Sequence, residues 1–190
     1  IATDLTRQML AAAANHLREE HCDRVLLMEA DAERLPFMDD SFDAVTCRIA
    51  AHHFPSPDCF MHEATRVLKP GGKFFFVDNA VPEEEHLARF MNQFEKMRDV
   101  SHVRCLSVRE WTTLSQEAGL RLERAELKRK TYPYPVGVRR TAETEEQAQQ
   151  VERFICQADP HIREYFSAHI VNGRLESLQV DEWRALFCKY

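Results

Sequence analysis

Hydrophobic positions along the first eighty residues switch between two periods. Behind Thr6, which has the chemistry of an N-cap, Met9, Leu10, Ala13 and Leu17 recur at helical spacing and predict a helix over 7–20 with one apolar face. Val25-Leu26-Leu27-Met28 is an apolar run of strand length. Phe42-Asp43-Ala44-Val45-Thr46-Cys47 reads as the next strand, after a turn at Asp39-Asp40-Ser41. Ser56 and Pro57 supply an N-cap and a first helical residue for a helix to about Leu68, which Lys69-Pro70-Gly71-Gly72 ends. Lys73 to Val77 is apolar on both faces, as expected of a strand inside a parallel sheet. Ile1-Ala2-Thr3-Asp4 reads as the tail of a strand already in progress.

This alternation predicts an α/β fold, a doubly wound and mostly parallel sheet with right-handed crossovers. Beyond Asp78 the rhythm changes. Helices are expected over 83–99 and 108–118, the second capped by Ser107 and stopped by Gly119. A strand over 121–131 ends at Tyr132-Pro133-Tyr134-Pro135, and a polar, solvated helix follows over 141–154, capped by Thr141 or Thr144. Asn172-Gly173 signals a turn, and the apolar stretch from Trp183 to Tyr190 is a candidate last strand. With no repeat, linker or low-complexity tract, residues 1–190 are expected to form one domain.

Composition narrows the function classes. A chain of 190 residues with 44% hydrophobic residues suits one soluble domain. A formal charge of −6 argues against a nucleic-acid partner or an anionic membrane surface. No apolar run approaches the roughly 20 residues that span a bilayer. The six cysteines form no Cys-x-x-Cys pair, and they are expected to be reduced and mostly buried thiols of a cytoplasmic protein. The oligomeric state is left open.

Two acids carry candidate chemistry. Asp4 stands at the carboxyl end of the first strand, just before a helix, where open α/β sheets bind ligands and where an acid can accept bonds from a ribose diol. A helix N-terminal carboxylate needs no ligand to be favoured there, so the residue alone leaves both readings open. Asp31, in Asp31-Ala32-Glu33-Arg34-Leu35-Pro36-Phe37, follows the next strand and can take an exocyclic adenine amine. It can equally be a turn-forming Asp.

Taken together, Asp4-Leu5-Thr6 with Met9-Leu10, the Asp31 to Phe37 segment, Asp40-Ser41-Phe42-Asp43, Cys47-Arg48-Ile49-Ala50-Ala51-His52-His53-Phe54 and Arg66-Val67-Leu68-Lys69-Pro70-Gly71-Gly72 have a characteristic order and spacing. They resemble the ubiquinone/menaquinone-biosynthesis-like branch of the class I S-adenosylmethionine-dependent methyltransferases over residues 1–79. Residues 98–119 resemble a bacterial subgroup of that branch. The resemblance implies that Asp4 binds the ribose hydroxyls, Leu5 packs on the adenine, Asp31 takes its amine and the Ala32 backbone a ring nitrogen. It also implies that Arg48 lines the methionine end of the cofactor through its backbone. Members of the family begin with a strand and a Gly-x-Gly-x-Gly-like loop, and their sheet order is 3-2-1-4-5-7-6. The five glycines here are Gly71, Gly72, Gly119, Gly137 and Gly173, all downstream of Asp4. The chain is therefore expected to start in mid-fold, without the central strand and the loop, leaving two half-sheets with exposed apolar edges.

The implied reaction is methyl transfer from S-adenosylmethionine to a small molecule. The sulfonium makes the methyl group electrophilic, so the protein has mainly to position a nucleophile and exclude water. His52 and His53 are candidate bases toward a hydroxyl or an acidic carbon, with structural polar contact as the other reading. The spacing of Cys47, His52, His53, Cys59 and His62 matches no recognised metal set, and no metal is expected. Phe90, Phe94, Trp111 and Tyr132 read as core rather than as the roof of a substrate site. Two other functions stay open: a catalytically inactive domain used for protein contact, which the absent glycine loop allows, and a nicotinamide-dependent oxidoreductase, which Asp4 alone would fit.

Overall fold

The structure is a computed structural model, and it describes residues 1–139 and 141–190. The elements in chain order are β1 (Ala2–Asp4), α1 (Arg7–Glu19), β2 (Leu27–Glu29), β3 (Phe42–Arg48), a 3-10 turn (Ala51–His53), α2 (Pro57–Val67), β4 (Leu68–Ala80), α3 (Glu85–Arg98) and α4 (Val108–Glu117). Then come β5 (Leu120–Pro133), α5 (Tyr134–Arg139), α6 (Glu145–Cys156), α7 (Pro160–Tyr165), β6 (His169–Val171) and β7 (Arg174–Lys189).

Local chemistry sets several of these boundaries. Thr6 caps α1 by accepting from the Met9 N–H. Ser107 and Glu110 close a reciprocal capping box at the start of α4, two backbone donors satisfied at once. Ser56 and Pro57 do open α2, although the Ser56 side chain makes no capping bond. Gly119, at φ +86°, takes the left-handed turn that ends α4.

The strands form two sheets. β1 and β2 pair in parallel, and β3 pairs in parallel with β4. β7 then lies antiparallel between β4 and β5, and β6 joins β7 as a hairpin, so the larger sheet is mixed and runs β3-β4-β7-β5. Asn172 and Gly173, at φ +51° and +77°, make that hairpin turn.

β7 ties two cores together. Trp183 and Phe187 join Phe74 and Phe76 of β4, Phe60 and Met61 of α2 and Trp111 of α4. The other half of β7, with Leu175, Leu178 and Val180, packs with Leu87, Phe90 and Phe94 of α3, Val151 and Ile155 of α6, and Phe166. Four expectations change here. The helix over 141–154 is shorter at its start, beginning at Glu145, and is not merely solvated, because Ala148, Val151 and Ile155 enter this second core. The last strand begins nine residues before Trp183, at Arg174, since β5 offers it partners as far as Pro133. The apolar face of α1 is left partly open: Met9 is exposed and no residue of α1 is buried, because β1 and β2 are three residues each and cannot cover it. Of the cysteines, all free, only Cys105 and Cys188 are buried, while Cys22 and Cys59 lie at the surface.

Candidate active site

The carboxyl ends of β1, β2, β3 and β4 carry the polar residues of interest. Asp4 ends β1 opposite Glu29 of β2, and the Asp4 carbonyl accepts from the Ala30 N–H at 3.0 Å. One Asp4 oxygen, Oδ1, holds the Thr6 N–H and hydroxyl at 2.8 and 2.9 Å. Asp31 follows β2 and uses Oδ1 in the same way, on the Glu33 N–H at 2.9 Å. Among the described residues the second oxygen of each acid has no hydrogen-bond partner. Local turns therefore fix both carboxylates while leaving an acceptor on each. Leu5, beside Asp4, is 67% exposed, an apolar surface available to a flat ligand.

The segment after Asp31 is strapped to α2. Arg66 donates to Glu63 of its own helix, to Asp39, and to the carbonyls of Phe37 and Leu35 at 2.7 and 3.0 Å. Glu63 accepts from the Leu35 N–H at 2.6 Å, and Glu33 from the Ser56 N–H at 2.5 Å. Ala32 packs against the first core. The loop that carries Asp31 and Ala32 is thus held to α2 by charge-assisted bonds.

Arg48 is the last residue of β3 and is exposed. Directly after it, Ile49 sits at φ +51°. A β-branched residue in the left-handed region costs about 1–3 kcal/mol, and such strain persists only where surrounding bonds impose it. Here the Ile49 N–H donates to the Val77 carbonyl of β4 at 2.7 Å. The sharp turn delivers the Ala51–His53 segment to the end of β4.

There the sequence reading missed the governing residue. Asp78, in β4 and 1% exposed, accepts from the His52 backbone N–H at 3.0 Å with one oxygen and meets His52 Nδ1 at 2.6 Å with the other. Burial works against protonating His52, and the Asp78 carboxylate outweighs it, so this imidazole titrates above its ordinary value. With Nδ1 engaged by Asp78, Nε2 is the nitrogen left for chemistry. The signal available in the sequence was an acid at the end of the Phe74-Phe75-Phe76-Val77 run together with a histidine pair after the preceding strand.

The neighbouring rings have different settings. His53 is half-buried, 4.2 Å from the His52 ring, and its Nδ1 lies 3.2 Å from the Ser101 hydroxyl, which donates to Asp99. His102 lies 5.6 Å from His52 and bonds Asn92 through Nε2 at 3.0 Å. Burial, with the nearby His52, His53 and Arg98 charges, pushes His102 down to about 4, so it is neutral at pH 7. The pair expected as candidate bases is therefore split: a carboxylate orients His52, and a hydroxyl contacts His53. Cys59 and His62 are exposed on α2, and among the described residues Cys47, His52, His53, Cys59 and His62 form no ligand group. Phe90, Phe94 and Trp111 are core as expected, and Tyr132 is half-buried with its hydroxyl 3.3 Å from Asn79.

Acids at the ends of adjacent parallel strands, with a buried His–Asp pair beyond the next two, lie where open α/β sheets of Rossmann-like fold bind ligands. The comparisons narrow the class. A family model described as a methyltransferase domain matches residues 1–76. The crystal structure of a candidate methyltransferase from Bacillus halodurans superposes with a TM-score of 0.94 at 36% identity, covering 99% of this chain and 81% of that one. The YcgJ protein of Bacillus subtilis superposes with a TM-score of 0.93 at 31% identity over 98% of this chain and 80% of its own. In sequence the chain is 42% identical to the same organism's uncharacterized methyltransferase YcgJ over 114 residues, 60% of this chain and 45% of that protein. It is 35% identical to the ubiquinone/menaquinone biosynthesis C-methyltransferase UbiE of Nitrobacter hamburgensis over 92 residues, 48% of this chain and 36% of that protein. The chain belongs to the class I S-adenosylmethionine-dependent methyltransferase family. The chain spans 45% and 58% of the lengths of the first two curated relatives that it matches. No helix is long and apolar enough to cross a membrane among the described residues.

The residues present fit the adenosine half of S-adenosylmethionine: two acids with a spare acceptor each, a strapped loop, and an exposed Leu5.

Proposed function

We propose that the protein transfers the methyl group of S-adenosylmethionine to a small-molecule acceptor, at a hydroxyl or an acidic carbon, with His52 as the base. Asp4 would hold the ribose diol, Asp31 the adenine amine and the Ala32 N–H a ring nitrogen, with Leu5 against the base and the Arg48 backbone along the methionine end. The cofactor supplies an electrophilic methyl group when bound. His52 Nε2 takes the proton that the acceptor loses, and Asp78 stabilises the imidazolium that results. His53 would border the acceptor beside it.

The observation that carries the reading is the double hold of Asp78 on His52, through backbone and ring, at the ends of β3 and β4. The two bonds fix the ring and leave Nε2 as the nitrogen not engaged by Asp78. The test is transfer of an isotopically labelled methyl group to a naphthohydroquinone as carbon acceptor and to a catechol as oxygen acceptor. His52→Gln should lower kcat by about 10²–10⁴-fold while leaving the cofactor Kd unchanged. A His52→Gln variant with the wild-type rate would overturn the assignment of the base.

A further inference from the structure

A second cluster lies away from these residues, where α3 and α7 begin. Glu84 is the N-cap residue of α3, His86 stands in its first turn, and His161 follows Pro160 in the first turn of α7. His86 Nδ1 is 3.3 Å from Glu84 Oε1, and His161 Nε2 is 3.5 Å from Glu84 Oε2. The two imidazoles lie 5.3 Å apart at 32°, and one ligand atom from each of the three residues falls within 4.8 Å of the others. These separations are long for charge-assisted hydrogen bonds, which are roughly 2.7–2.9 Å. Each is close to the edge of a tetrahedron around zinc, about 3.3 Å for metal–ligand bonds of about 2.0–2.1 Å, with one Glu84 oxygen facing each imidazole.

The site is preorganised from beneath. Leu87, Phe90 and Phe94 anchor α3 in the second core, and Phe166, directly after α7, packs 5.6 and 6.1 Å from the Phe90 and Phe94 rings. α3 and α7 therefore pack into one core, which also takes Ile162 of α7, although residues 84 and 161 are far apart in sequence. The N-termini of α3 and α7 carry positive partial charge, so the Glu84 carboxylate has to supply the negative charge at the site. Glu83 and Glu85 flank Glu84, with their partners Arg109 and Arg89 at 3.1 and 3.7 Å as the facing positive charges. Donors of two nitrogens and one oxygen select a borderline transition metal over the hard cations magnesium and calcium, which want oxygen alone. The expectation of no metal rested on the residues around His52 and His53; Glu84, His86 and His161 are brought together only by the fold.

We propose that Glu84, His86 and His161 form a surface site for one divalent transition-metal ion of the zinc type, which clamps the start of α3 to the start of α7. Water would complete the coordination, since all three side chains reach solvent. The site is independent of the methyl-transfer reading.

The test is titration of the full chain, without a histidine tag, with Zn2+ against a chromophoric chelator. Cys22 and Cys59, the two exposed thiols, are first replaced by Ser so that thiolates do not compete. The expected result is one zinc per chain, no competing effect of Mg2+, and a higher thermal midpoint with zinc than with EDTA. His161→Ala and His86→Ala should each weaken zinc binding by at least about tenfold. Their midpoints in EDTA should match that of the parent, which separates loss of a ligand from loss of fold. Glu84→Gln provides a third variant with its shape retained. No zinc uptake, or uptake that His161→Ala leaves unchanged, would overturn the proposal.

Discussion

Replacing Asp78 by Asn keeps the side-chain shape and removes the charge that raises His52. In the native protein the folded-state pKa of His52 lies above the unfolded value of about 6.5. The pairing therefore contributes stability that is fully present below about pH 6.5 and is lost as pH rises through the folded-state pKa. In Asp78→Asn, burial acts without the carboxylate and depresses the pKa, so the same imidazole now opposes folding in acid. Glu95 and Arg98 act on His52 in opposite directions and are present in both proteins. At pH 5.5 the substitution should cost about 1.5–3 kcal/mol, the worth of a bond to a charged group. At pH 8, where a neutral imidazole can still bond an amide, the cost should be smaller. Each unit separating the two His52 pKa values adds about 1.4 kcal/mol to that difference. Denaturant unfolding of both proteins at the two pH values measures it, and NMR of the imidazole protons reports the two pKa values directly. A cost that does not fall with pH, or a His52 that titrates alike in both proteins, would refute the reasoning. The kinetic counterpart is a kcat lowered about 10- to 100-fold, with a pH–rate profile displaced toward acid.

Asp4→Ala should weaken S-adenosylmethionine binding by about 1–3 kcal/mol in a calorimeter, and Asp31→Ala by less, with poorer discrimination between adenine and other bases. Arg66→Ala should cost about 1–3 kcal/mol of stability by unstrapping the 33–39 loop, and should raise the cofactor Kd without touching the reaction of bound substrate. An unchanged Kd in Arg66→Ala would mean that the strap does not organise the Asp31 segment.

Much of this was legible because it is local. Thr6, Ser107 with Glu110, and Asn172-Gly173 act within a few residues, and each ends or starts an element where expected. The Phe74 to Val77 run identified a central strand for the same reason. What escaped notice depends on partners distant in sequence. Nothing near Val151 or Ile155 says that their polar helix meets Phe94 and Val180 in a second core. α5 carries Pro135 and Gly137 within six residues, a composition that reads as loop. α7 was within reach, since Asp159 and Pro160 are a cap and a first helical residue, but its single turn has too little periodicity. Asp78 and His52 are 26 positions apart, and each alone is an ordinary residue.

The turn after β3 is the structural reason for proposing His52, rather than His53, as the base. Its left-handed Ile49 carries a cost that only a well-bonded neighbourhood can offset. The bonds are there: Ile49 to Val77, His52 to Asp78 twice, and the His52 carbonyl accepting from both the Val103 and Arg104 N–H groups at 3.0 Å. Every bond but the first converges on one residue. A strained turn held this way fixes the position of an imidazole to a degree that a hydroxyl contact at 3.2 Å does not match for His53. Methyl transfer tolerates little error in geometry, since about 7–11 kcal/mol of a barrier can depend on orientation. The residue most tightly placed is then the one on which the chemistry can rely.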